Sequence, residues 1–66
     1  MSVNKLRGKM VSLDVSMEEV AKVLGVTVSS MYRKLNSFEK ITIGEAKKIK
    51  EFLGLTDAEA IEIFLS

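Results

Sequence analysis

The stretch "SMEEVAKVLGVTVSSMYRKLN", Ser16 to Asn36, decides the fold. It opens on a hydroxyl with a glutamate three residues later, Ser16 and Glu19. At that spacing a helix start closes on itself: the hydroxyl accepts an orphan backbone N–H and the carboxylate reaches back. Met17, Val20, Ala21 and Leu24 then fall at i, i+3, i+4 and i+7, one face of a helix. Gly25 follows at once, the residue type that ends a helix in the left-handed region. Val26 fits between two helices, and Thr27 can cap the start of the next. In that second helix Met31 and Leu35, four residues apart, turn inward. Ser29, Tyr32 and Arg33 then face outward, with Ser30 and Lys34 on the flanks. The stretch therefore predicts a helix, a tight turn and a helix within about 20 residues, with small Ala21 at the closest crossing.

The same grammar extends outward in both directions. Thr42 with Glu45, and Thr56 with Glu59, repeat the hydroxyl–glutamate spacing ahead of apolar periodic runs. Gly54 repeats the stop of Gly25, and Asp14 stands at the corresponding place after the first run, less suited than glycine but tolerable. Val3, Leu6, Met10 and Leu13 step along a first helix; Ala46, Ile49 and Leu53 along a fourth; Ala60, Ile61, Phe64 and Leu65 along a fifth. Strand-like alternation occurs only briefly at "KITIG", where the cap at Thr42 marks a loop entering a helix. The expected helices are 3–13, 17–24, 28–36, 43–53 and 57–65. With no proline, repeat or low-complexity linker in 66 residues, the expectation is one all-α domain over 1–66, a compact five-helix fold.

Composition narrows the function. The chain has no Cys and no His, so disulfides and metal sites built on thiolate or imidazole are not expected, nor is a cofactor. The four glycines are scattered and form no phosphate loop. Glu18 and Glu19 are adjacent, so on a helix they point about 100° apart and make no facing acid–base pair. No enzyme, membrane span or small-molecule ligand is expected; the first ten residues lack the apolar run of a signal peptide, and a cytoplasmic protein is the expectation. Net charge is only +1, but it is unevenly spread. Residues 1–50 hold all 10 Lys and Arg against five acids, whereas residues 51–66 hold four acids and no cation. A basic body of this kind suits a polyanionic partner.

On these residues the chain resembles the phage Cro and repressor family, with a lambda-repressor-like fold. The resemblance rests on the acid-rich second helix with Ala21 at its middle, then Leu24-Gly25-Val26-Thr27, then the following helix. "LRGKM" near the start and "TIGEAKKIKEFLGLTDAEAIEIF" at the end support it. It implies a helix-turn-helix of helices 2 and 3, with helix 3 in the major groove of double-stranded DNA and helix 2 across the backbone. Carried over by position, Val28, Ser29, Tyr32 and Arg33 meet base edges. Met17, Thr27, Lys34, Asn36, Ser37 and Lys40 meet phosphates. Three positions depart from the pattern. Met17 stands where a polar residue, typically Gln, binds phosphate; Val28 stands where Arg or Gln is common and offers only apolar contact; Lys34 stands at a usually apolar place. Phe38 reads as an anchor for the loop after helix 3.

In the resembled family the region after helix 4 often makes a dimer, which implies Ile61, Phe64 and Leu65 as an interface between two copies. Two functions follow. One is a sequence-specific DNA-binding regulator; the other, favoured by Met17 and Val28, is a protein-interaction module that keeps the fold without strong DNA contact.

Overall fold

The computed structural model describes residues 2–36 and 41–65. They form α1 (Val3–Ser12), α2 (Met17–Leu24), α3 (Val28–Asn36), α4 (Ile43–Leu53) and α5 (Asp57–Phe64), with no strand among the described residues. Helices α1 and α5 each stop one residue short of expectation, at Leu13 and Leu65, whose backbones have left the helix or serve as its cap. No helix is long and apolar enough to cross a membrane among the described residues.

The three expected capping boxes all form. Ser16, Thr42 and Thr56 each accept the backbone N–H of the glutamate three residues on, and Glu19, Glu45 and Glu59 each accept the cap's own N–H. Such a cap contributes about 1 kcal/mol. Thr27 Oγ1 accepts the Ser30 N–H at 3.1 Å and starts α3. Ser2 caps α1 by accepting from Lys5 N–H, a cap with no glutamate partner to mark it in the sequence.

The helix ends share one design. Asp14, Gly25 and Gly54 occupy the left-handed region at φ 57°, 70° and 65°. The next residue in each case, Val15, Val26 or Leu55, donates its N–H back to Met10, Ala21 or Lys50, at 2.9, 3.0 and 3.0 Å. This six-to-one bond, with the tighter bond from the left-handed residue, satisfies the last carbonyls. The same Val15, Val26 and Leu55 immediately precede the next helix's cap. They stand five residues before Val20, Met31 and Ala60, the spacing of a hydrophobic staple, and all six are withdrawn from solvent. Each three-residue junction therefore ends one helix and aims the next.

Asp14 is the only non-glycine of the three junction residues, and its left-handed backbone carries a steric cost that glycine lacks. Asp14→Gly should stabilise the domain by about 0.5–1 kcal/mol, which for a chain this small raises the thermal midpoint by roughly 2–8 °C. Thermal unfolding followed by circular dichroism measures it; an unchanged or lowered midpoint would show that the Asp14 side chain holds the turn in another way.

The core collects one or two residues from each helix. Leu6, Met10, Val20, Ala21, Met31, Leu35, Ile49, Leu53, Leu55 and Ile63 are buried. The apolar stripe read for α5 holds in part: Ala60 and Phe64 are half-buried, but Ile61 and Leu65 are exposed, and the residue that inserts is Ile63. The Ile63 carbonyl accepts the Ser2 N–H at 2.8 Å, tying α5 to the start of α1. Leu55 joins the core because the junction before α5 turns it inward.

Among the described residues, ion pairs link helices at three places. Lys9 on α1 meets Glu59 at 2.7 Å, Lys34 on α3 meets Glu45 at 3.1 Å, and Lys50 on α4 meets Asp57 at 2.9 Å. The capping glutamates Glu45 and Glu59 thus each hold a helix start and a lysine from another helix. The Lys9 ammonium, then the Thr56 N–H, holds the Glu59 carboxyl down to about 2 from its usual 4.5. The Thr42 N–H, helped by Lys34, lowers that of Glu45. Both carboxyls are depressed in the folded chain, so their contribution is complete above the usual 4.5 and is lost as pH falls below it, that of Glu59 towards about 2. Thermal midpoints measured across that acid window should fall, and Glu59→Gln, which can still cap Thr56, should flatten the fall. An identical acid profile in the variant would remove Glu59 from the explanation.

Candidate nucleic-acid interface

Helix α3 is fixed from below. Met31 and Leu35 are buried on its inner side, and Val20 and Ala21 of α2 are buried with them in the same core. α2 and α3 pack against each other across Gly25-Val26-Thr27. The opposite side of α3 exposes Ser29, Tyr32, Arg33 and Asn36. These are i, i+3, i+4 and i+7, so they form one continuous stripe. Every member carries a hydrogen-bonding group: a hydroxyl, a phenol, a guanidinium and an amide. The guanidinium of Arg33 donates to Ser30 Oγ at 3.3 Å, along the helix surface. It forms no ion pair among the described residues.

The other residues singled out from sequence fall into three groups. Thr27 is exposed beside the stripe, at the start of α3. Met17 and Val28 are half-buried and pack against the core, so each serves the fold with at least part of its side chain. Lys34 lies on the flank with its ammonium on Glu45, so a phosphate would compete with that carboxylate for it. Ser37, Lys40 and the expected anchor Phe38 lie outside the described residues.

The acid-free character of two helices was not drawn from the sequence. Neither α1, VNKLRGKMVS, nor α3, VSSMYRKLN, contains an Asp or Glu. The charge split is also less two-ended than composition implies, because Asp57 and Glu59 fold back onto Lys50 and Lys9. What remains without an acid partner near α3, among the described residues, includes both arginines of the chain, Arg7 and Arg33. Arg7 comes from α1 and sets its guanidinium over the Tyr32 ring, 5.8 Å from the centroid. No sequence signal pairs residues 25 positions apart; the tertiary fold brings these two side chains together.

The residues expected at a dimer interface gather beside the groove between α4 and α5. Ile61 and Leu65 are 55% and 78% exposed, while Phe64 is half-buried against the core. They line an open groove of about 570 Å³ between α4 and α5, with Ile43, Ala46 and Ala60 on its walls. Ile43, 90% exposed at the start of α4, belongs to the same apolar surface but not to the expected set, since only the packing of α4 beside α5 brings it to that groove.

No protein-family model, curated protein or solved structure matches the chain.

Proposed function

We propose that the protein is a sequence-specific DNA-binding regulator of the phage Cro/repressor kind, using α2 and α3 as a helix-turn-helix with α3 in the major groove of an operator. The observation that carries this reading is the stripe Ser29-Tyr32-Arg33-Asn36, wholly hydrogen-bonding and exposed, on a helix braced by buried Met31 and Leu35. A stiff helix that presents donors and acceptors on one face matches what base edges and phosphates require. Thr27 and the side chains around α3 supply further backbone contacts, with Lys34 recruited from Glu45. Ile61, Phe64 and Leu65 supply the surface on which two copies meet, so the operator is near-palindromic, with half-sites about one helical turn apart.

Selection of bound sequences from a random duplex pool, at two salt concentrations, tests this. The expected result is a near-palindromic site preferred over scrambled duplex, with affinity falling as salt rises. A pool that returns no preferred sequence, with the chain folded, would overturn it.

A second reading is kept by one observation: Met17 and Val28 are apolar and partly committed to the core, while Ile43, Ile61 and Leu65 leave an open apolar groove. On that reading the chain is a protein-interaction module, and the failure of duplex selection together with a stable protein complex through α4 and α5 would favour it.

A further inference from the structure

We propose that Arg7, on α1, is a phosphate-binding residue of the same surface, held in place by Tyr32 and extending the contact from α3 onto α1. This rests on the DNA-binding reading. Four observations carry it. The guanidinium sits over the Tyr32 ring at 5.8 Å from the centroid, within the range of a cation–π contact. Arg7 is exposed, and no acid neutralises it among the described residues. Tyr32 belongs to the exposed stripe of α3 and is 43% exposed, so the arginine is carried at the edge of that stripe. Finally, α1 and α3 contain no acid of their own; of their lysines, Lys9 and Lys34 are turned to Glu59 and Glu45, and exposed Lys5 adds a further cation on α1 with no ion pair among the described residues.

The physical sense lies in how a guanidinium uses its two kinds of surface. A guanidinium can meet an aromatic ring through its charge while its N–H donors remain able to fork onto phosphate oxygens. A long side chain normally loses rotamer freedom when it binds; one already resting on a ring loses less. Arg7 reaches the edge of α3 from a neighbouring helix, so its natural target is the backbone flanking the groove and not a base within it.

The experiment compares the parent, Arg7→Ala and Arg7→Lys for affinity to the selected duplex and to a scrambled one, each across a salt series. Tyrosine emission of the free proteins is read alongside. Tyr32 is the only tyrosine and the chain has no tryptophan, so that emission reports its ring alone. The expected result for Arg7→Ala is altered emission, a several-fold weakening on both duplexes alike, and a salt slope flatter by about 0.9 per protomer. Arg7→Lys should keep the slope and lose part of the affinity, because the charge stays and the fork does not. Circular dichroism and thermal midpoints establish that all three are folded. An unchanged slope in Arg7→Ala, with the parent binding duplex, would overturn the phosphate role. Loss of preference for the selected site without a change of slope would also overturn it and leave Arg7 a positioning residue for Tyr32. A parent that binds no duplex would instead sink the DNA-binding reading, and this proposal with it.

Discussion

Met31→Ala should leave the domain largely unfolded at 37 °C. Met31 is completely buried and stands on the inner side of α3, between the helix and the rest of the core. Removing a buried methionine side chain to Cβ costs about 2–5 kcal/mol, from lost transfer energy and the cavity left behind. A domain of this size has a total stability of roughly 3–10 kcal/mol, so the loss consumes much or all of it. Helix α3 also loses its N-terminal apolar bracket, since Met31 lies five residues after Val26 across the cap at Thr27. Urea unfolding followed by circular dichroism gives the number. A loss below about 1 kcal/mol would mean that the core refills the space, and that Met31 is not the support of α3 described above.

Arg33→Ala should leave stability nearly unchanged and weaken the preferred duplex by roughly 1–3 kcal/mol. The side chain is exposed, and its one contact given by the structure, to Ser30 Oγ at 3.3 Å, is on the surface of its own helix. Surface changes of that kind move stability by only about 0.5 kcal/mol. On the proposed DNA-binding reading the effect belongs to recognition: a guanidinium expected to fork onto a guanine edge is lost, and preference at one base pair of each half-site relaxes. Titration against the selected and scrambled duplexes separates the cases. An equal shift of both curves would make Arg33 a backbone contact, alongside Arg7.

The five helices were legible because their ends are chemical statements. A hydroxyl with a glutamate three residues on, or a glycine after a leucine, specifies a backbone geometry from a few neighbouring residues. Phase within a helix was less secure. In α5 nearly every residue from Ala58 to Leu65 is either apolar or acidic, so two faces are almost equally apolar. Which of them inserts depends on packing against the rest of the chain: Ile63 is buried, and Leu55, turned inward ahead of α5, joins the same core. The candidate site divides the same way. The stripe on α3 follows from helical spacing alone. The Lys34–Glu45 pair and the Arg7–Tyr32 contact depend on how separate helices meet, which no local pattern encodes.

The junctions Asp14-Val15-Ser16, Gly25-Val26-Thr27 and Gly54-Leu55-Thr56 have a consequence for cooperativity. Helix ends are ordinarily where order is lost first, each fraying independently of its neighbour. Here the residue that closes one helix is covalently next to the one that brackets the following helix, and a single valine or leucine serves both. Unwinding the last turn of α1, α2 or α4 therefore releases the first turn of its successor. α1, α2 and α3 are linked in series by two such joints, and α4 and α5 by a third. The molecule's softest points are converted into couplings at these three junctions.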